Sequence, residues 1–144
     1  MRKGFTLIEM LIVIAIIAIL ASVFLVGLRG FRGSAYDSRR ITDLQKVQGY
    51  LEVYYTKNRQ YPNVSAWSAL QTELVNAQMG ITAIPNDPLP GGVYHYGVNS
   101  TDRQSYVLGA RFSTSDHSAL KEPTEVDGTV FGVNCDDPVF CIQF

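Results

Sequence analysis

The chain reads as α+β, with one long N-terminal α-helix over about residues 5–57 whose C-terminal half packs against a small antiparallel β-sheet head. Three observations lead there. The run LIEMLIVIAIIAILASVFLVGL makes the front of the chain apolar on all sides. After it, Ile41, Leu44, Val47, Leu51, Tyr54 and Tyr55 recur at three- and four-residue steps, which draws one apolar stripe along an amphipathic helix. Beyond Tyr61-Pro62 the period drops to two, with Tyr94, Tyr96 and Val98 alternating against His95 and Gly97, the pattern of a half-buried strand. The 144 residues are enough for about one domain.

The first element poses a problem of solvent. Met10 to Leu28 carries no charge, close to the ~20 apolar residues that span a bilayer. A cleaved secretory signal fits badly, because any small residue chosen before a cut in IAILASV, residues 17–23, has a bulky Ile or Leu two positions earlier. A plain transmembrane helix leaves Glu9 unexplained, since a lone carboxylate in lipid costs roughly 2.5 kcal/mol or more. It also leaves unexplained the Gly-Phe-Thr between the basic pair Arg2-Lys3 and the apolar run.

The stretch KGFTLIEM, Lys3 to Met10, resembles the processing signal of prepilins, the precursors of type IV pilins and of the pseudopilins of type II secretion systems. The resemblance implies a pilin fold, cleavage between Gly4 and Phe5, N-methylation of Phe5, and an assembly role for Glu9 with Thr6. Residues 1–4 are then a leader, 5–28 the transmembrane and filament-core half of the stalk, 29–58 its amphipathic half, and 59–144 the head. Cleavage leaves a positive amine on Phe5, as costly in an apolar environment as the Glu9 carboxylate. The two ions can pair within one helix, one turn apart, or between neighbouring copies in a filament; the residues permit both. The partners implied are further copies of the chain in a helical filament, a prepilin peptidase and methyltransferase, an inner-membrane assembly platform and the cytoplasmic membrane. The chain would wait in that membrane as a single-pass protein and then enter an extracellular or periplasmic filament.

The stalk continues past GLRGFRGS, whose glycines are expected to soften or locally unwind it. Many members of the resembled family carry a proline where this chain has Val26, so any melted stretch in the assembled filament would rely on Gly27, Gly30 and Gly33. A continuous helix from residue 5 to 57 would measure roughly 80 Å. Arg39, Arg40, Asp43, Lys46, Glu52 and Lys57 are placed on its outward faces.

The head starts at Tyr61-Pro62, since proline disfavours a helical residue before it. Ser65 is expected to cap a short helix to Asn76 with Trp67, Leu70 and Leu74 inward. ITAIPNDPLPGG follows as a loop, and its Ile-Pro-Asn-Asp-Pro resembles the loop leading into the sheet of major pseudopilins. VYHYGVN and SYVLGARF, joined by NSTDRQ, form a hairpin; GTVFGVN is the expected third strand, and STSDHSALKEPTEVDG a polar surface loop. Leu44, Val47, Leu51 and Tyr55 are the helix side of the core.

Charge and cysteines limit the remaining chemistry. Basic residues crowd the stem and acidic ones the C-terminal part, an arrangement open either to pairing between copies or to plain solvation. Arg29, Arg32, Arg39 and Arg40 could contact nucleic acid, but lipid headgroups next to the apolar span require fewer assumptions. Cys135 and Cys141 are the only cysteines; in an exported chain such a close pair closes a small disulfide loop worth about 2 kcal/mol, against free thiols in a cytosolic one. No enzyme is expected: the adjacent Asp116, His117 and Ser118 cannot converge as a triad. No resident cofactor or metal is expected either, Asp136 and Asp137 being only weak calcium candidates. The sequence thus favours a pilus or pseudopilus subunit. A minor or priming subunit with a binding head, and a non-polymerising single-pass binding protein, are the alternatives.

Overall fold

The structure is a computed structural model that describes residues 6–123 and 125–144; of residues 23–30 only the backbone is described. The chain divides into two compact units at the Arg32/Gly33 boundary. The first helix, α1 (Leu7–Asn58), contributes to both. It is assigned through Gly27, Gly30 and Gly33 without a break, contrary to the local unwinding expected there: glycine lowers helix propensity by about 1 kcal/mol but keeps its backbone N–H for the ladder.

In the first unit every residue from Thr6 to Ser22 is exposed, so the isolated chain leaves its apolar front unburied. Among the described residues, no helix is long and apolar enough to cross a membrane. The expected span of residues 5–28 lies partly outside the described residues.

In the second unit α1 buries Leu44, Val47 and Leu51 completely, and Ile41, Tyr54 and Tyr55 are half-buried beside them. The helix stops where Arg59 turns left-handed at φ +59° and donates its N–H to the Tyr55 carbonyl at 2.7 Å, an αL termination. Helix α2 (Trp67–Asn76) turns Trp67, Leu70 and Leu74 inward. Its N-cap is Ala66, with no side-chain cap, so Ser65 does not cap it as expected.

Strands β1 (Tyr94–Val98) and β2 (Tyr106–Arg111) form the expected hairpin, Tyr96 opposite Leu108. Two short strands follow, β3 (Thr129–Val130) and β4 (Val133–Asn134), and the last is β5 (Val139–Gln143). The sheet order is β1-β2-β5, all antiparallel. The third strand is therefore β5, not GTVFGVN. GTVFGVN instead folds back on itself: Phe131 and Gly132 both take positive φ, +47° and +83°, and β3 pairs with β4, as a two-residue turn of this hand requires.

The inner face of the sheet packs Tyr94, Tyr96, Tyr106, Leu108, Ala110 and Phe140 into the main core. Its outer face carries the β3–β4 hairpin on Val107, Val133, Cys135, Val139 and Cys141. Two glycines make room for it. A Cβ at Gly97 would meet the Phe131 carbonyl oxygen at 2.5 Å, and one at Gly109 would meet Cys141 Sγ at 3.2 Å. Cys135 and Cys141 form a disulfide that joins the end of the hairpin to the middle of β5. The segment read as a plain surface loop contains a 3-10 turn, Ser118–Lys121, which buries Leu120.

Candidate functional site

The N-terminal site is built by two residues that start a helix. Thr6 stands just before α1, and its Oγ1 accepts the N–H of Glu9 at 3.3 Å. Glu9 reaches back: its Oε2 accepts both the Thr6 N–H and the Thr6 hydroxyl, each at 2.8 Å. This reciprocal exchange is a capping box, which satisfies N–H groups the first turn would otherwise leave orphaned. Glu9 Oε1 takes no hydrogen bond from any described residue. The carboxylate is thus held in place through Oε2. The expected cleavage point, Gly4 and Phe5, lies outside the described residues. The signal for the box was in the sequence, since Thr-x-x-Glu directly before an apolar run is its signature.

In the head, polar residues meet where the stripe of α1 runs on. Asp37 is fully buried and Arg40 is 3% exposed, so Arg40 does not lie on an outward face as expected. Its Nε and Nη2 grip both oxygens of Asp87 at 2.7 and 2.9 Å. Its Nη1 donates to Asp37 Oδ1 at 2.8 Å and to Ser113 Oγ at 2.7 Å. Asp37 also accepts the N–H groups of Ser113 and Thr114 at 2.7 and 3.0 Å. One guanidinium therefore ties α1, the Ile-Pro-Asn-Asp-Pro loop and the segment after β2. Burial pulls the Asp87 carboxyl upward, but the Arg40 hydrogen bonds, the Leu89 N–H and the Arg40 charge together hold it below its ordinary value. Among the described residues no buried side-chain N or O lacks a partner, so the clasp is satisfied, as a buried ion pair must be.

Two further carboxylates read as outward-facing, the exposed Glu52 and the half-buried Asp43, also bond tyrosines. Tyr94 donates to Asp43 Oδ2 at 2.8 Å, and Tyr61 and Tyr106 share Glu52 Oε1 at 3.0 and 3.1 Å. Burial first, then the Glu52 hydrogen bond and charge, pushes the Tyr61 hydroxyl up to about 12. These groups are hydrogen-bonded into the core; no reactive pair is formed.

The disulfide loop uses its acids locally. Asp136 Oδ1 accepts the Gly128 N–H at 3.2 Å, bracing the hairpin. Among the described residues no group of three or more His, Cys, Asp or Glu side chains is placed to hold a metal ion. Asp116, paired with Lys121, and His117, which accepts the Ala119 N–H at 3.2 Å, are likewise engaged in local turns.

Residues 1–25 match the family model described as the prokaryotic N-terminal methylation motif. No curated protein and no solved structure matches the chain.

Proposed function

We propose that the protein is a structural subunit of a type IV pilus or a type II secretion pseudopilus, cut between Gly4 and Phe5, N-methylated on Phe5, and polymerised through its N-terminal helix. The observation that carries this reading is the methylation-motif match over residues 1–25. Two properties of the chain support it. The apolar front from Leu7 to Ser22 is exposed all round, more apolar surface than a monomer keeps in water. Lipid covers it first, along Met10 to Leu28, and neighbouring copies cover it later. The capping box leaves Glu9 Oε1 available to the amine of Phe5, its own or that of the next subunit, and either pairing removes two unpaired charges from an apolar environment. The machinery follows: a prepilin peptidase and methyltransferase, an inner-membrane platform, and a filament outside the cytoplasmic membrane.

The test is Glu9→Ala in the producing cell. The variant should reach the membrane fraction at the level of the unaltered chain and be missing from sheared or secreted filaments. Filaments of normal abundance containing Glu9→Ala subunits would overturn the assembly reading.

A further inference from the structure

Four segments of the head converge on one cleft of about 430 Å³ beside the β3–β4 hairpin, within the size range of small-ligand sites. Ser65 comes from the chain before α2, His95 from β1, Arg111 from β2 and Asn134 from β4. All four are exposed, and each brings a hydrogen-bond donor.

The sheet explains why His95 and Arg111 border the same cleft. His95 pairs with Gly109, so Arg111 is the next residue of β2 on the same outer face. Gly109 places no side chain between them. The hairpin supplies Asn134 with its orientation already set: Oδ1 accepts the Asp136 N–H at 2.9 Å, which leaves the amide NH2 as the free group. Ser65, His95 and Arg111 make no side-chain hydrogen bond or ion pair with any described residue. No Asp or Glu lines the cleft. In the two neighbouring clefts that His95 also borders, the acid is Asp87, whose two oxygens Arg40 already holds. Phe131, Val133 and Val139 form apolar walls.

A lining with donors from four segments, no competing carboxylate and an exposed guanidinium selects for negative charge, and charge-assisted hydrogen bonds are about twice as strong as neutral ones. We infer that this cleft binds a ligand ending in an oxyanion, a carboxylate or a phosphate ester, attached to a short apolar body. Arg111 and His95 hold the anion, Asn134 and Ser65 orient it, and Phe131 with the two valines covers the body. The site lies wholly within the head and does not depend on polymerisation.

The test uses the full chain in detergent micelles, followed by NMR of the His95 ring and the Arg111 side chain. Phenyl phosphate and benzoate are titrated separately, with benzyl alcohol as the uncharged control. Saturable shifts with an anion and none with the alcohol are expected, and the tighter anion identifies the headgroup. Arg111→Gln removes the cation, and Asn134→Asp puts a carboxylate into the lining; each should weaken binding about tenfold or more, with the remaining amide spectrum unchanged. The absence of saturable shifts with both anions, an equal response to benzyl alcohol, or unchanged affinity in both variants would overturn the inference. Glu9→Ala should leave binding intact, which separates this site from the assembly reading.

Discussion

Asp37 and Arg40 teach most at the scale of the residue. Positions 37, 40, 44, 47 and 51 continue one three-four spacing, so the register of the apolar stripe already placed both charges on the buried side. The polarity of Arg40 argued for solvent, and the sequence reading followed it. Burial is tolerated because Asp87, distant in sequence, meets the guanidinium with both oxygens. Removing the cation should therefore cost far more than an exposed pair would: Arg40→Ala leaves two buried carboxylates facing each other, a loss of about 3–5 kcal/mol. The single Trp67, buried against Tyr94, reports it by fluorescence in urea. The pH dependence has a defined sign. Because Asp87 titrates below its ordinary value in the folded chain, its contribution is complete above the ordinary carboxylate range and is lost as pH falls through the lowered folded value. The urea midpoint should drop on acidification, and Asp87→Asn should be weaker at neutral pH yet flatter in its acid response. An equally steep acid response in Asp87→Asn would reject this role.

The elements differ in how far their neighbours decide them. Helices α1 and α2 and the β1–β2 hairpin are set by periods of 3.6 and 2.0 that any window of sequence displays, and their inward apolar residues are the expected ones. The region after Gly128 behaves otherwise. GTVFGVN has the composition of a strand, but positive φ at Phe131 and Gly132 turns it into a hairpin that rides on the sheet. VFCIQ then takes the place beside β2. Gly97 and Gly109 are the cost of that layering, and they test it unequally. Gly97→Ala drives a Cβ to 2.5 Å from the Phe131 carbonyl, a backbone atom, whereas Gly109→Ala meets side-chain atoms at 3.2 and 3.3 Å. Gly97→Ala should lose about 1–3 kcal/mol in urea unfolding and shift the hairpin amides in NMR spectra, with Gly109→Ala clearly milder. Equal losses would mean that the hairpin does not rest on Gly97 as described.

For the molecule as a whole, the proposed processing has a direct readout. The intact mass of the protein purified from its own cells should correspond to a chain beginning at Phe5 and one methyl group heavier, while Gly4→Val should retain its first four residues; an unaltered full-length mass in the unsubstituted chain would reject processing. Much of the local structure was legible in the order of the residues. Basic pair, glycine, aromatic, threonine and glutamate ahead of an apolar run form a contiguous motif, and the capping box of Thr6 and Glu9 is a contact within one turn. The sequence by itself determined these local features, together with the two helices, the first hairpin and the close cysteine pair, because each rests on interactions between near neighbours. Only the tertiary structure decided what meets the charges on the buried side, which strand completes the sheet, and which donors line the cleft beside the hairpin. Those outcomes depend on segments far apart in the chain finding each other, and no local period encodes such a meeting: Arg40 is inside because Asp87 is there to receive it, and β5 joins the sheet because the hairpin before it has closed on itself.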